Sequence, residues 1–142
     1  MSIVERTGVF NPAEVAIARS LVEETRAGAP GADYRFLFAD GPDGLEGYTC
    51  YGPIPGTERR FELYWIAVDP VMRGLGLGHL LLTATEAAVR AAGGTHLFAH
   101  TSTRGDYAPA RAFYAMNGYG QSANIADYYS DGDGMAIYGK RL

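Results

Sequence analysis

The chain has 142 residues, 47% hydrophobic and 20% charged, a composition that suits one globular domain and excludes a disordered chain. A formal net charge of −4 leaves no broad basic face for nucleic acid, and no apolar run approaches the roughly 18 to 20 residues that cross a bilayer, so neither nucleic acid nor membrane is an expected partner. The single cysteine, Cys50, excludes an intrachain disulfide and a multi-cysteine zinc site.

The opening, "MSIVERTGVF", has no basic segment followed by a long apolar one, so no secretory leader is expected and the cytosol is the default compartment. "NPAEVAIARSLVEETRAG" reads as the first helix, with Asn11 as cap, Pro12 in the first turn and Gly28 at the stop. "YRFLFAD" and "LEGYTCYG" read as strands joined by the turn "GPDG", an antiparallel hairpin. "RRFELYWIAV" is rich in aromatic and β-branched residues and reads as a central strand. Strict alternation sends Phe61, Leu63, Trp65 and Ala67 to one face and Glu62, Tyr64, Ile66 and Val68 to the other.

Residues 77–92 carry helical periodicity. The expected buried stripe is Leu77, Leu80, Leu81, Ala84, Ala88 and Ala91; the expected wet face holds His79, Thr83, Glu86 and Arg90, with Glu86 and Arg90 spaced for an i,i+4 pair. "THLFAHTS" reads as a strand, "YAPARAFYAMNG" as a helix with Pro109 near its start, and the tail through "MAIYGKRL" as further strand around a turn at "SDGDG". A strand–helix–strand step over 60–100 predicts two parallel strands joined by a right-handed crossover. The expected architecture is α/β: a mixed sheet, antiparallel early and parallel at the βαβ step, in a single domain over 1–142.

Between the central strand and its helix lies "VDPVMRGLGLGHLLL". Glycine inside a helix costs about 1 kcal/mol relative to alanine, so Gly74, Gly76 and Gly78 need a reason. At a helix start the first N–H groups lack partners and the dipole favours an anion; glycine lets that backbone approach a ligand, and Arg73 adds a cation. The loop therefore reads as a phosphate or pyrophosphate cradle. A P-loop would need Lys and Ser or Thr after the last glycine, where His79 and Leu80 stand; a dinucleotide fingerprint needs G-x-G-x-x-G, and the spacing here is G-x-G-x-G. Both nucleotide readings fail on spacing.

The run Arg73, Gly74, Leu75, Gly76, Leu77, Gly78, preceded by "IAVDP", resembles the pyrophosphate loop of the GNAT superfamily of acyl-CoA-dependent N-acetyltransferases. A second match lies downstream, where "ARAFYAMNGY" is similar to that family's late helix, with Ala110, Phe113, Tyr114, Gly118 and Tyr119 in place. The resemblance covers residues 34–142. The family usually begins with a strand before its first helix, and here that edge strand is expected to be truncated or absent. Tyr107 stands where many members carry asparagine.

What the resemblance implies is a GNAT-like fold that moves acetyl from acetyl-CoA, as cosubstrate, to a primary amine of a small molecule or peptide by direct transfer. The alternative on the same fold is a non-catalytic acyl-CoA-binding sensor or interaction module. Backbone groups of Arg73, Gly74, Gly76, Gly78 and His79 would take the pyrophosphate, and those of Ile66, Ala67 and Val68 the pantetheine arm, with the Val68 N–H facing the acetyl oxygen. Tyr114 is the implied proton donor to the leaving sulfur: with an ordinary pKa near 10 it is protonated at pH 7. Glu62, on the central strand, is the candidate base. Deprotonating a lysine at pH 7 costs about 4 to 5 kcal/mol and an α-amine only about 1, so the need for a base depends on the acceptor. Tyr51, Tyr64 and Tyr128 are aromatic candidates to line the acceptor pocket. His96 and His100 share one strand face and lack further ligands at zinc spacing, so no metal is expected and they read as a core or surface pair. Cys50 reads as a half-buried strand residue. The tail "DYYSDGDGMAIYGKRL" resembles bacterial members near the ribosomal-protein N-terminal acetyltransferases. A homodimer is left open.

Overall fold

The computed structural model describes residues 33–41, 44–72 and 75–142. The helix expected over 11–28, the edge strand expected to be missing before it, Arg73 and Gly74 lie outside the described residues.

A six-stranded sheet runs in the order β1-β2-β3-β4-β6-β5. Strand β1 (Arg35–Gly41) pairs antiparallel with β2 (Gly44–Pro53), which pairs antiparallel with β3 (Arg60–Val68). Helix α1 (Leu77–Ala91) crosses from β3 to β4 (His96–Ser102), its parallel neighbour, so the βαβ unit and the early hairpin stand where the alternation and turn residues put them. A 3-10 turn, Gly105–Tyr107, leads into α2 (Ala108–Met116). The tail forms two strands, β5 (Gly120–Ser130) and β6 (Asp133–Arg141), with β6 inserted antiparallel between β4 and β5.

The main core lies between the sheet and the helices: Tyr51, Phe61, Leu63, Leu97, Ala99 and Tyr138 from the strands meet Leu82 and Val89 of α1 and Tyr114 of α2. A second cluster holds Tyr48 and Ala67 with Phe36, Leu45 and Trp65 against them.

Two readings of local periodicity are corrected by this packing. Helix α1 buries Leu81, Leu82, Thr85, Glu86 and Val89, whereas Leu80 is 62% exposed and Ala84 and Ala91 face out. The apolar stripe is thus turned from the one centred on Leu80 and Ala84, because two polar residues on the buried face find partners. Thr85 Oγ1 hydrogen-bonds the Thr49 hydroxyl at 2.9 Å and the Leu81 carbonyl at 2.8 Å. Glu86, expected in water beside Arg90, is 5% exposed and accepts hydrogen bonds from Tyr119 and Lys140. Burial of a polar group stands once it is bonded, and a periodicity count cannot see that.

The second correction concerns β3. Cys50 pairs with Trp65 and Tyr51 with Leu63, so Tyr64 is an extra residue, a β-bulge. Thr49 and Tyr51 share one face of β2, and their partners are Ile66 and Leu63, so the side-chain alternation of β3 inverts across Tyr64. Phe61, Leu63 and Ile66 serve the main core, and Trp65 and Ala67 serve the second. Trp65 and Ala67 therefore do not share a face with Phe61 and Leu63, and Glu62 does not share one with Ile66 and Val68.

Candidate active site

The bulge has a consequence one residue away. The parallel ladder between β3 and β4 runs only from Arg60↔His96 to Leu63↔Ala99. Beyond it β3 stays with β2 and β4 stays with β6, and the two strands part. A bulge bends and twists its strand, which is why pairing stops at this point.

The gap opens into a cleft of about 840 Å3. One wall is the whole of Tyr64–Val68, with His100 and Thr101 of β4 opposite. Residues of both side-chain parities border it on each strand, so the cleft cuts through the sheet. The other wall comes from the first turn of α1 (Leu77, Gly78, His79) and from α2 (Ala110, Phe113, Tyr114) with Asn117 just past its end.

The start of α1 is open. Gly76 takes φ +81°, a left-handed conformation that a β-carbon makes costly, and no side chain among the described residues caps the helix. The Leu80 N–H donates to the Gly76 carbonyl at 3.1 Å, so the N–H groups of Leu77, Gly78 and His79 precede the first helical hydrogen bond and have no acceptor within the helix. A β-carbon on Gly78 would meet the Phe113 ring at 3.2 Å; glycine there lets α1 lean on α2. Donors at the positive end of a 15-residue helix, beside a cleft, fit a diphosphate.

Tyr114 is buried against Phe113, Tyr119 and Tyr138, with ring centroids 5.6, 5.8 and 5.9 Å away. Its hydroxyl bonds to no other described residue, and burial pushes its pKa well above the ordinary value of 10, so it stays protonated. Glu62 does not line the cleft; it lies on the face of β3 opposite α1 and α2, with Nδ1 of the lining residue His100 3.6 Å from its Oε2. Burial raises the Glu62 carboxyl above the usual carboxylate range, more than the imidazole of His100 lowers it.

Of the residues picked from the sequence, the cleft brings together Ile66, Ala67, Val68, Gly76, Gly78, His79, Tyr64 and Tyr114. Tyr64 also borders a smaller pocket of about 190 Å3 with Asp33, Tyr34, Pro53 and Pro55, and its ring meets Tyr34 edge-on at 5.5 Å. Glu62, Tyr51 and Tyr128 are not among the residues that line the cleft. Tyr51 fills the main core, and Tyr128 sits on the outer strand β5, 56% exposed and edge-on to Tyr129. His100, read as half of a histidine pair, instead faces Glu62, while His96 stacks on Phe98. Asn117 was not singled out at all, although the asparagine that ends α2 three residues after Tyr114 was there to be read. Cys50 is fully buried with its thiol pushed up to about 12 by desolvation, an inert group.

A split mixed sheet whose gap is flanked by an open helix N-terminus and a buried tyrosine defines the class of GNAT-fold acyltransferases. The model of the acetyltransferase (GNAT) family matches residues 11–119, and the chain belongs to that family. It is an acyltransferase enzyme, and the family uses acetyl-CoA. A crystal structure of a GNAT-family protein from Desulfovibrio desulfuricans is 42% identical, with TM-score 0.93 over 98% of this chain and 87% of that one. The ribosomal-protein-S18-alanine N-acetyltransferase of Escherichia coli shares the fold at 21% identity and TM-score 0.69, over 84% and 76% of the chains. So does a protein of Bacillus anthracis assigned as a streptothricin acetyltransferase and solved in complex with acetyl coenzyme A, at 14% identity and TM-score 0.70, over 78% and 63%. None of the curated proteins matches the chain. Among the described residues no helix is long and apolar enough to cross a membrane.

Proposed function

We propose that this protein transfers acetyl from acetyl-CoA directly to a primary amine of a small molecule or peptide, in the cleft where β3 and β4 part. Acetyl-CoA supplies an activated thioester; the chain supplies its alignment and two proton transfers. The N–H groups of Leu77, Gly78 and His79, with Arg73 and Gly74 before them, hold the diphosphate. The main chain of Ile66, Ala67 and Val68 holds the pantetheine arm in the manner of an added strand. The Val68 N–H faces the acetyl oxygen and offsets the charge that gathers there.

Glu62 takes the proton from the acceptor nitrogen. Burial raises the Glu62 pKa above the usual carboxylate range and so makes the carboxylate a stronger base, while His100, 3.6 Å away, favours its charged form. The Tyr114 hydroxyl delivers a proton to the departing sulfur, since burial keeps that proton on the oxygen until it is demanded. The acceptor enters past Tyr64, which borders both the cleft and the pocket of Asp33 and Tyr34. The fold kinship with a ribosomal-protein N-acetyltransferase and with the acetyl-CoA complex supports both acceptor classes.

The observation that carries the reading is the through-sheet cleft with an open helix start at one end, Tyr114 in its lining and Glu62 beside the lining residue His100. Calorimetric titration with acetyl-CoA, ATP and NAD tests the cleft, and an acceptor screen with a free-thiol readout tests the chemistry. Heat with acetyl-CoA alone and thiol release on adding amines is the expected result. Binding of ATP or NAD in preference to acetyl-CoA, or release of thiol without any acetylated amine, would overturn it.

A further inference from the structure

A closed circuit of hydrogen bonds runs from the cleft wall, at His79 and Asn117, to Glu86, Tyr119 and Lys140 behind it. Glu86, buried two helical turns after His79 on α1, accepts from the Tyr119 hydroxyl at 2.7 Å and from Lys140 Nζ at 3.0 Å. Lys140, on β6, also donates to the Asn117 carbonyl at 3.1 Å. Asn117 in turn accepts the His79 Nδ1–H at 2.6 Å through its Oδ1, and donates from Nδ2 to the Phe113 carbonyl at 2.8 Å. The Tyr119 N–H closes on the Tyr114 carbonyl at 3.0 Å.

The circuit therefore ties α1 to the end of α2 at two points, His79 and Glu86. Asn117 is the hub, and its own N–H bonds to the Phe113 and Tyr114 carbonyls. One end of this tie is the open first turn of α1; the other is the backbone that carries Tyr114. We infer that Lys140, through Glu86 and Asn117, is a positioning residue that sets the separation between the diphosphate-holding turn and the Tyr114 hydroxyl. The inference rests on the reading of the cleft as the acetyl-CoA site. Neither Lys140 nor Glu86 lines the cleft, so any effect they have on a ligand there passes through the wall.

A lone Glu86 or Lys140 would be left with an unpaired charge, so both go together: Glu86→Leu with Lys140→Met removes the pair at similar volume. The expected result, well below the melting temperature, is an acetyl-CoA dissociation constant raised about tenfold by calorimetry and a kcat lowered by a similar factor, with the acceptor KM unchanged. Lys140→Arg, which keeps the charge, should recover most of the loss. A folded double variant that binds acetyl-CoA and turns over like the wild type overturns the inference. Should the double variant not fold, Tyr119→Phe decides on the same readouts. Weaker acetyl-CoA binding supports the positioning role, and unchanged binding and kcat overturn it. Failure of the wild-type protein to bind acetyl-CoA would instead defeat the reading of the cleft itself.

Discussion

His100 Nδ1 stands 3.6 Å from Oε2 of Glu62, across the line where β3 and β4 cease to pair. Glu62 is the last residue of β3 but one to be laddered to β4, and its side chain lies on the face of the sheet away from α1 and α2. Glu62 and Tyr114, the proposed base and proton donor, thus lie on opposite faces of the sheet and could meet one substrate only where the sheet is split.

Glu62→Gln is expected to lower kcat at pH 7 by about 10² to 10³-fold for an alkylamine acceptor, the range of general-base catalysis. It should do much less for an acceptor with an amine pKa near 8. In the wild type, activity falls with decreasing pH as Glu62 gains its proton, at a pH above the ordinary carboxylate range; the variant should lose that limb. A pH–rate profile of both proteins checks this, and an unchanged limb in the variant would assign the titration to another group.

The same shift makes a stability statement. Folded Glu62 holds its proton more tightly than unfolded Glu62, so between the ordinary value of 4.5 and the raised one the folded state binds more protons. Stability then falls as pH rises through that window. Glu62→Gln should therefore raise the melting temperature at pH 7, with the gain gone at about pH 4. Thermal melts at the two pH values measure it.

Tyr114→Phe should lower kcat by about 10²-fold and leave the acetyl-CoA dissociation constant within about twofold, because the ring and its packing against Tyr119 and Tyr138 are kept. A variant that loses acetyl-CoA binding as well would mean that the hydroxyl is part of the ligand site.

At the loop, Gly76→Ala places a β-carbon at φ +81° and should cost about 1 kcal/mol of stability. Gly78→Val drives a larger side chain at the Phe113 ring, already 3.2 Å from a β-carbon, and should weaken acetyl-CoA binding more than Gly76→Ala does. Melting temperatures beside titration calorimetry separate the two effects.

Tyr64→Ala is expected to raise the acceptor KM several-fold, whereas Tyr128→Ala, on the exposed outer strand, leaves kcat and both KM values unchanged. Native Cys50 should resist a disulfide reagent at pH 8 and react fully once unfolded, since its thiol is buried and pushed up to about 12. Thiol titration with and without denaturant reads this directly.

Much of the fold was legible from local chemistry. "GPDG" announced a hairpin, the aromatic run over 60–68 a central strand, and the glycine loop followed by "HLLLTATEAAVRAA" the crossover helix. The uncapped start of α1 was legible for the same reason, since glycines at a helix start are chemistry within one turn of chain. Tyr51 and Tyr128 were misplaced because aromatic character marks equally a core residue, an exposed strand residue and a pocket wall.

Sequence alone determined the order of the elements and the open amides at the start of α1, because turn residues, periodicity and missing β-carbons act over a few neighbouring positions. Tertiary structure decided which way the side chains of β3 point, which face of α1 is buried and that His100 meets Glu62. The bulge at Tyr64 exists only against the register of β2, and Glu86 leaves water only because Tyr119 and Lys140, 33 and 54 residues further along, arrive to satisfy it. Those partners are distant in the chain, and no window of local pattern contains them.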